Sequence, residues 1–221
     1  MGSSVFKMFA QLAIIFLYSR NLSVEDYGLY QSVWLYVNIA SIISLFGLPA
    51  LILSSPVNAI NRWIKENKNY FIFFFGLLNF IPLLYILIAV TEYDFIIRVL
   101  LVILTVVQNI AIVTETIAIK KEKEKLVLIT NLMFTAGYIL GHLIILHSSY
   151  SLQLILEVLI FIFIIKAVLQ YYFTGIIAND KFTEQPKQLS NKWIYLGLND
   201  VAGVIFKWLD KWIILYFISV A

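Results

Sequence analysis

Residues 152–173 read LQLILEVLIFIFIIKAVLQYYF. The run is apolar almost without interruption. It matches the length of about 20 residues that a helix needs to cross the hydrocarbon core of a bilayer. A strand of a transmembrane barrel would alternate apolar and polar positions over about ten residues. This stretch does not alternate, so it predicts a membrane-spanning helix, whose backbone polar groups are satisfied internally. Its two charged residues, Glu157 and Lys166, need an explanation, because lipid does not solvate charge.

The rest of the chain repeats the pattern. Of 221 residues, 62% are hydrophobic and 13% charged, with a mean hydropathy of +0.91. Soluble domains carry about 25% charged residues and keep a polar shell, so an ordinary soluble domain is excluded. The absence of cysteine excludes a disulfide scaffold and thiolate chemistry. A net charge of +3 offers no electrostatic footprint for nucleic acid. Apolar runs predict spans over Val5–Tyr18, Leu29–Leu53, Tyr70–Val90, Val99–Ile119, Leu126–Leu146, Leu152–Phe173 and Trp193–Ser219. The expected architecture is an all-α, polytopic transmembrane bundle of about seven spans.

Loop charge sets the expected orientation. With the N-terminus cytoplasmic, Lys7, Arg62, Lys65, Lys68, Lys120, Lys121, Lys123, Lys125, Lys181, Lys187 and Lys192 all fall inside. Only Arg20 and Arg98 fall outside, and this one-sided distribution supports the order of the spans. The longest connection, residues 174–192, contains Pro186 and reads as a cytoplasmic linker. It divides a six-span N-terminal lobe, residues 1–173, from a seventh span at 193–221. That last span reads as the start of a truncated second lobe, which makes the chain the front part of a longer protein.

Seven charged residues fall within the predicted spans: Glu115, Glu157, Lys166, Asp200, Lys207, Asp210 and Lys211. Each would cost about 2.5–3.5 kcal/mol at a lipid-facing helix centre. Together they would approach about 20 kcal/mol, more than the net stability of most proteins. Most must therefore face a partner, the interface or a hydrated cavity. At 100° per residue, Asp200, Lys207 and Lys211 lie within about 20° of one line, with Asp210 on an adjacent strip. That face reads either as internally neutralised or as the cationic wall of a hydrated path. Lys166 is placed to snorkel toward the cytoplasmic interface or to face a cavity. Glu157 is placed to reach the outer headgroups, and Glu115 is expected at a solvated helix end.

The remaining polar positions read mainly as packing. Asn38, Ser41 and Asn79 are expected to bond to neighbouring helices, and Gly137 and Gly141 form a GxxxG suited to close packing within the chain. Pro49 and Pro82 are candidate kinks. His142 and His147 have no third ligand that would make a metal site. No P-loop, H-E-x-x-H or G-x-S-x-G motif is present. The acidic pair of Glu92 and Asp94 reads as a solvated turn. No enzyme activity and no cofactor are expected.

Two stretches carry a family resemblance. Residues 19–53 read SRNLSVEDYGLYQSVWLYVNIASIISLFGLPALIL. Ser19, Arg20, Leu22, Ser23, Glu25, Asp26, Tyr27, Gly28, Tyr30 and the later Gly47 resemble the opening of prokaryotic polysaccharide flippases. These are oligosaccharide exporters of the multidrug/oligosaccharidyl-lipid/polysaccharide exporter superfamily. WLDKWIILYFIS at 208–219 resembles the start of that family's second lobe, with Asp210 and Lys211 as its acid–base pair. Family members usually have Ala at the position of Ser19 and Arg at that of Lys211.

The resemblance implies two six-helix lobes around a central cavity, of which this chain supplies the first lobe and one further helix. It implies a transporter in the prokaryotic cell membrane that flips undecaprenyl-diphosphate-linked oligosaccharide outward for surface polysaccharide such as O-antigen or capsule. Membrane lipids, a glycan polymerase and chain-length proteins are the implied neighbours, and nucleic acid is not. On this reading Arg20, Lys166, Lys207 and Lys211 supply positive potential along the substrate path. Glu115, Glu157, Asp200 and Asp210 tune those charges or couple ions. The alternatives are a drug or cation exporter of the same superfamily, which would favour acids over lysines, and a membrane glycan polymerase or glycosyltransferase, which would need a sizeable outer loop.

Overall fold

A computed structural model describes residues 2–148, 151–174, 189–203 and 206 of the chain. The fold is all-α. The helices are α1 (Gly2–Asn21), α2 (Val24–Leu45), α3 (Leu48–Ser54), α4 (Val57–Glu66), α5 (Lys68–Ala89), α6 (Phe95–Lys120), α7 (Glu124–Ser148) and α8 (Leu152–Thr174). A further helical stretch covers residues 189–203. Among the described residues, α2, α5, α6, α7 and α8 are long and apolar enough to cross a membrane. They present large apolar side chains outward, among them Phe73 and Phe80 on α5, Ile144 on α7 and Phe161 on α8. Water-soluble surfaces avoid apolar exposure on this scale, and the protein is a multi-pass membrane protein.

The chain divides into two compact units, Met1–Ser41 with Ile81–Ala178, and Ile42–Phe80 with Asn179–Ala221. In the first unit α6 packs along α8, α8 along α7, and α7 along α1. Its core runs through Ile14, Val37, Leu101, Leu104, Ile145, Leu156 and Leu159. The GxxxG of α7 is consumed inside the chain. A Cβ on Gly137 would sit 3.5 Å from Ile162, and one on Gly141 would sit 2.7 Å from Val158, both on α8. Small residues thus let the two helices approach closely. At the α1–α2 corner, the Asp26 amide donates to Ser23 Oγ at 3.1 Å and the Ser23 hydroxyl donates to Asp26 Oδ2 at 2.7 Å. This is a helix-capping arrangement, and it gives the Ser23–Asp26 part of the family-like stretch a structural role.

The second unit corrects the expected span Leu29–Leu53. That run is not one helix. It breaks at Phe46 and Gly47, whose φ values are 40° and 74°, and restarts as α3. Glycine is at ease in this left-handed region, and Pro49 falls in the first turn of α3, where a missing N–H costs nothing. Pro49 therefore starts a helix rather than kinking one. The break is also a close crossing. A Cβ on Gly47 would come within 2.5 Å of the Gly197 backbone nitrogen, and a Cβ on Gly197 would collide with the Phe46 ring.

The stretch between Leu53 and Tyr70, read as a basic loop, contains α4. Ala59, Ile60 and Trp63 share its buried face, while Arg62, Lys65 and Glu66 are exposed. Trp63 meets Trp193 edge-on at 5.3 Å and donates its Nε1–H to Ser190 Oγ at 2.7 Å. Lys192 donates to the Ser54 carbonyl at 2.7 Å, satisfying a carbonyl at the end of α3. In α5, Asn79 donates to the Ser44 carbonyl at 3.3 Å, the interhelical bond expected of it. Pro82 lies within the same helix. The helix expected from Trp193 is already present at residue 189, where the described residues resume, and Pro186 lies outside them.

The glycines make a contrasting pair of expectations. Gly141→Leu should destabilise the bundle by about 1–3 kcal/mol by overpacking against Val158. Gly76→Ala, at a helical position with nothing within 4 Å of a new Cβ, should be neutral or stabilising by up to about 1 kcal/mol. Thermal unfolding of both variants in detergent checks the two signs.

Candidate functional site

The polar side chains buried in the first unit gather in layers. The charged layer joins α6, α7 and α8. Lys166, on α8, is 5% exposed and donates to Glu115 Oε2 on α6 at 2.5 Å. Asn131, on α7, donates its amide to the other Glu115 oxygen, Oε1, at 2.9 Å. The Lys166 ammonium also lies 5.3 Å from the centre of the Phe134 ring, within reach of a cation–π attraction. One turn nearer the C-terminus of α8, Thr114 donates to Gln170 Oε1 at 3.1 Å, and the Gln170 amide donates to Thr130 Oγ1 at 3.0 Å. At the end of the bundle, Lys121 donates to the Thr174 carbonyl at 2.9 Å. Three helices are thus tied by one polar seam.

This layer overturns two expectations. Lys166 does not snorkel; it turns inward. Glu115 is not a solvated helix end; its side chain is 16% exposed and bound on both oxygens. The physical reason is that each residue supplies what the other lacks. Either charge alone would be uncompensated in a low dielectric, and together they form a hydrogen-bonded pair.

The other candidate positions do not converge on it. Glu157 is exposed on α8 and accepts from Gln153 at 2.9 Å. Arg20 is exposed near the end of α1, with its guanidinium 4.1 Å from the Phe16 ring centre. Asp200 is half-buried in the helical stretch 189–203 of the second unit. Lys207, Asp210 and Lys211 lie outside the described residues.

The turn between α5 and α6 is tied down by side-chain hydrogen bonds. Tyr36 donates to Glu92, and Tyr93 donates to the Leu29 carbonyl at 2.7 Å and contacts Ser32 Oγ. Burial pushes the Tyr93 phenol up to about 12, so it stays a neutral donor at physiological pH. Arg98 donates to the Leu87 carbonyl at 2.8 Å, near the end of α5. The acidic pair Glu92 and Asp94 is exposed.

Sequence reasoning missed a second cluster altogether. Tyr18 of α1, Tyr30 of α2, and Tyr138 and His142 of α7 are all buried together. The Tyr30 and Tyr138 hydroxyls are 2.7 Å apart, and Tyr30 Oη is 3.2 Å from His142 Nε2. His142 Nδ1 is 2.7 Å from the Tyr138 carbonyl oxygen. A lone histidine in an apolar helix gives no sequence signal of this kind. Its partners come from three helices, and only the fold brings them together. Among the described residues no group of three or more metal-binding side chains occurs, and His147 is exposed on its own.

Between these layers, Gln108 of α6 donates to Ser41 Oγ at 3.3 Å and to Asn38 Oδ1 at 3.4 Å on α2. The other Gln108 amide atom, both Asn109 amide atoms, Asn131 Oδ1 and Thr135 Oγ1 are buried without a partner among the described residues.

No family model, no curated protein and no solved structure matches the chain.

The charged layer makes a direct prediction. Lys166→Met or Glu115→Gln alone should each cost about 3–5 kcal/mol, because each strands or weakens a buried charge. The double variant should cost clearly less than the sum of the two. A double-mutant cycle on denaturant unfolding measures the difference. Additive costs would show that the two side chains do not depend on each other.

Proposed function

We propose that the protein is a transporter that flips a lipid-diphosphate-linked oligosaccharide from the cytoplasmic to the outer face of a prokaryotic cell membrane. The observation that carries this reading is the polar interior of the first unit. Gln108, Asn109, Asn131 and Thr135 leave buried polar atoms unsatisfied by the described residues. Such atoms call for water or a polar ligand. A bundle that served only as an anchor would gain nothing from them. The resemblance of residues 19–53 and 208–219 to polysaccharide flippases points the same way, and it supplies the class of cargo.

The cargo combines an anionic diphosphate, hydrophilic sugars and a lipid tail. Its head cannot cross hydrocarbon unaided. A hydrated path with cations would hold the head while the tail stays in lipid, and rocking of two lobes would expose the path to each side in turn. The ion pair with Glu115 offsets the charge of Lys166. The positive potential of the path therefore falls mainly to Arg20, Lys207 and Lys211, with Asp200 and Asp210 tuning it. The chain has no P-loop, so an ion gradient or the supply of substrate would set direction. The N-terminus would face the cytoplasm.

Loss of the protein should leave lipid-linked oligosaccharide accumulated on the inner face of the membrane, as read by its accessibility to an impermeant sugar-modifying enzyme. Lys207→Ala combined with Lys211→Ala should reproduce that accumulation. Unchanged translocation in the double variant would remove the cationic path. Single repeat units reaching the outer face in the absence of the protein would instead indicate a glycan polymerase.

A further inference from the structure

The tyrosine–histidine cluster contains a group that neither the polar seam nor the proposed transport path uses. His142 is 1% exposed. Its hydrogen bonds fix the positions of its protons. The Tyr138 carbonyl can only accept, so Nδ1 carries a hydrogen. In the neutral ring Nε2 is then a bare acceptor, and its partner among the described residues is the Tyr30 hydroxyl at 3.2 Å. Tyr30 must donate to it, which leaves the Tyr30 oxygen to accept from Tyr138 at 2.7 Å. The chain therefore runs one way, from Tyr138 through Tyr30 to His142.

The same chain can run in reverse. A proton added to Nε2 makes that nitrogen a donor to Tyr30 Oη. The Tyr30 hydroxyl then turns its hydrogen to Tyr138 Oη, and Tyr138 has to turn its own hydrogen to another acceptor. No covalent bond between heavy atoms is made or broken. The rings of Tyr138, Tyr18 and Tyr30 have centroids 4.3, 5.4 and 5.8 Å from the imidazole. The titratable groups facing His142 are Tyr18 from α1, Tyr30 from α2 and Tyr138 on its own helix. Among the described residues no carboxylate, lysine or arginine bonds to it. The site lies about 9 Å of helix rise from the C-terminal end of α7, so a proton has a short way to travel from that side.

From this geometry we infer that His142 is a proton-binding site, in which an imidazolium packed beside Tyr18, Tyr30 and Tyr138 and bonded to a hydroxyl chain links α2 to α7. The site works through a proton alone and does not depend on what the bundle carries.

The protein has two histidines, so His147→Gln leaves His142 as the only one. In lipid nanodiscs with 15N-labelled histidine, the imidazole signals should show one protonated and one bare nitrogen at about pH 8. Acidification toward about pH 4 should convert the bare signal to a protonated one while the protein stays folded. Tyr30→Phe removes the acceptor of the charged form and should lower the proton affinity about tenfold, because hydrogen bonds to ions outweigh those to neutral groups. Tyr138→Phe keeps the ring packing and the Tyr30 contact, so it should lower the affinity less, and it serves if Tyr30→Phe does not fold. A bare signal that persists until the protein unfolds, or midpoints unchanged in both variants, would overturn the site.

Discussion

A charge inside hydrocarbon has to be matched within its own hydrogen-bonding radius, and the first unit is organised around one such match. Lys166 and Glu115 come from α8 and α6, and Asn131 of α7 completes the set. Turning any of these helices by one residue would swing its polar side chain through about 100° and leave a buried charge alone. A buried ion pair is weak support for stability compared with an apolar replacement. What it supplies here is register. The Thr114–Gln170–Thr130 layer repeats the constraint one turn along with neutral groups, and the small residues of α7 set how near α8 can come.

The two polar clusters of the first unit differ in kind. The one near the ends of α6 and α8 carries full charges, and they cancel. The one near the end of α7 is built from neutral groups and aromatic faces. Between them lie amide and hydroxyl atoms whose hydrogen-bonding capacity the described residues do not fill. The interior is therefore graded along the helices rather than uniformly apolar.

How much of this was legible in the sequence follows from what each inference required. Continuous apolar runs located α5 to α8 within a few residues, because length and hydropathy alone decide a span. The same criterion failed at Gly47, where a left-handed turn hides inside an unbroken apolar run. It failed again at α4, where the described side chains that turn inward are Ala59, Ile60 and Trp63, within a stretch that also carries Arg62, Lys65 and Glu66. The cost of burying Glu115 and Lys166 correctly demanded partners for them, yet considered one at a time both looked like residues near a helix end. Their shared depth, each within about two turns of the same end of its helix, was the available clue. The bonding of His142 left no trace in the sequence, because tyrosines on three helices are ordinary until the fold aligns them. The expected charge cluster at Lys207, Asp210 and Lys211 lies outside the described residues.

The seat of Trp63 has a consequence for how the protein is made. Its indole is enclosed by Trp193 and hydrogen-bonded to Ser190, 127 residues further along the chain. At translation rates of about 5–20 residues per second, α4 is synthesised about 6–25 s before the residues that cover it. During that interval the tryptophan face of this helix lacks the residues that cover it. The second unit can close only after α6, α7 and α8 have been inserted. Its assembly is therefore a late step of biogenesis, and one that depends on the timing of synthesis as well as on affinity.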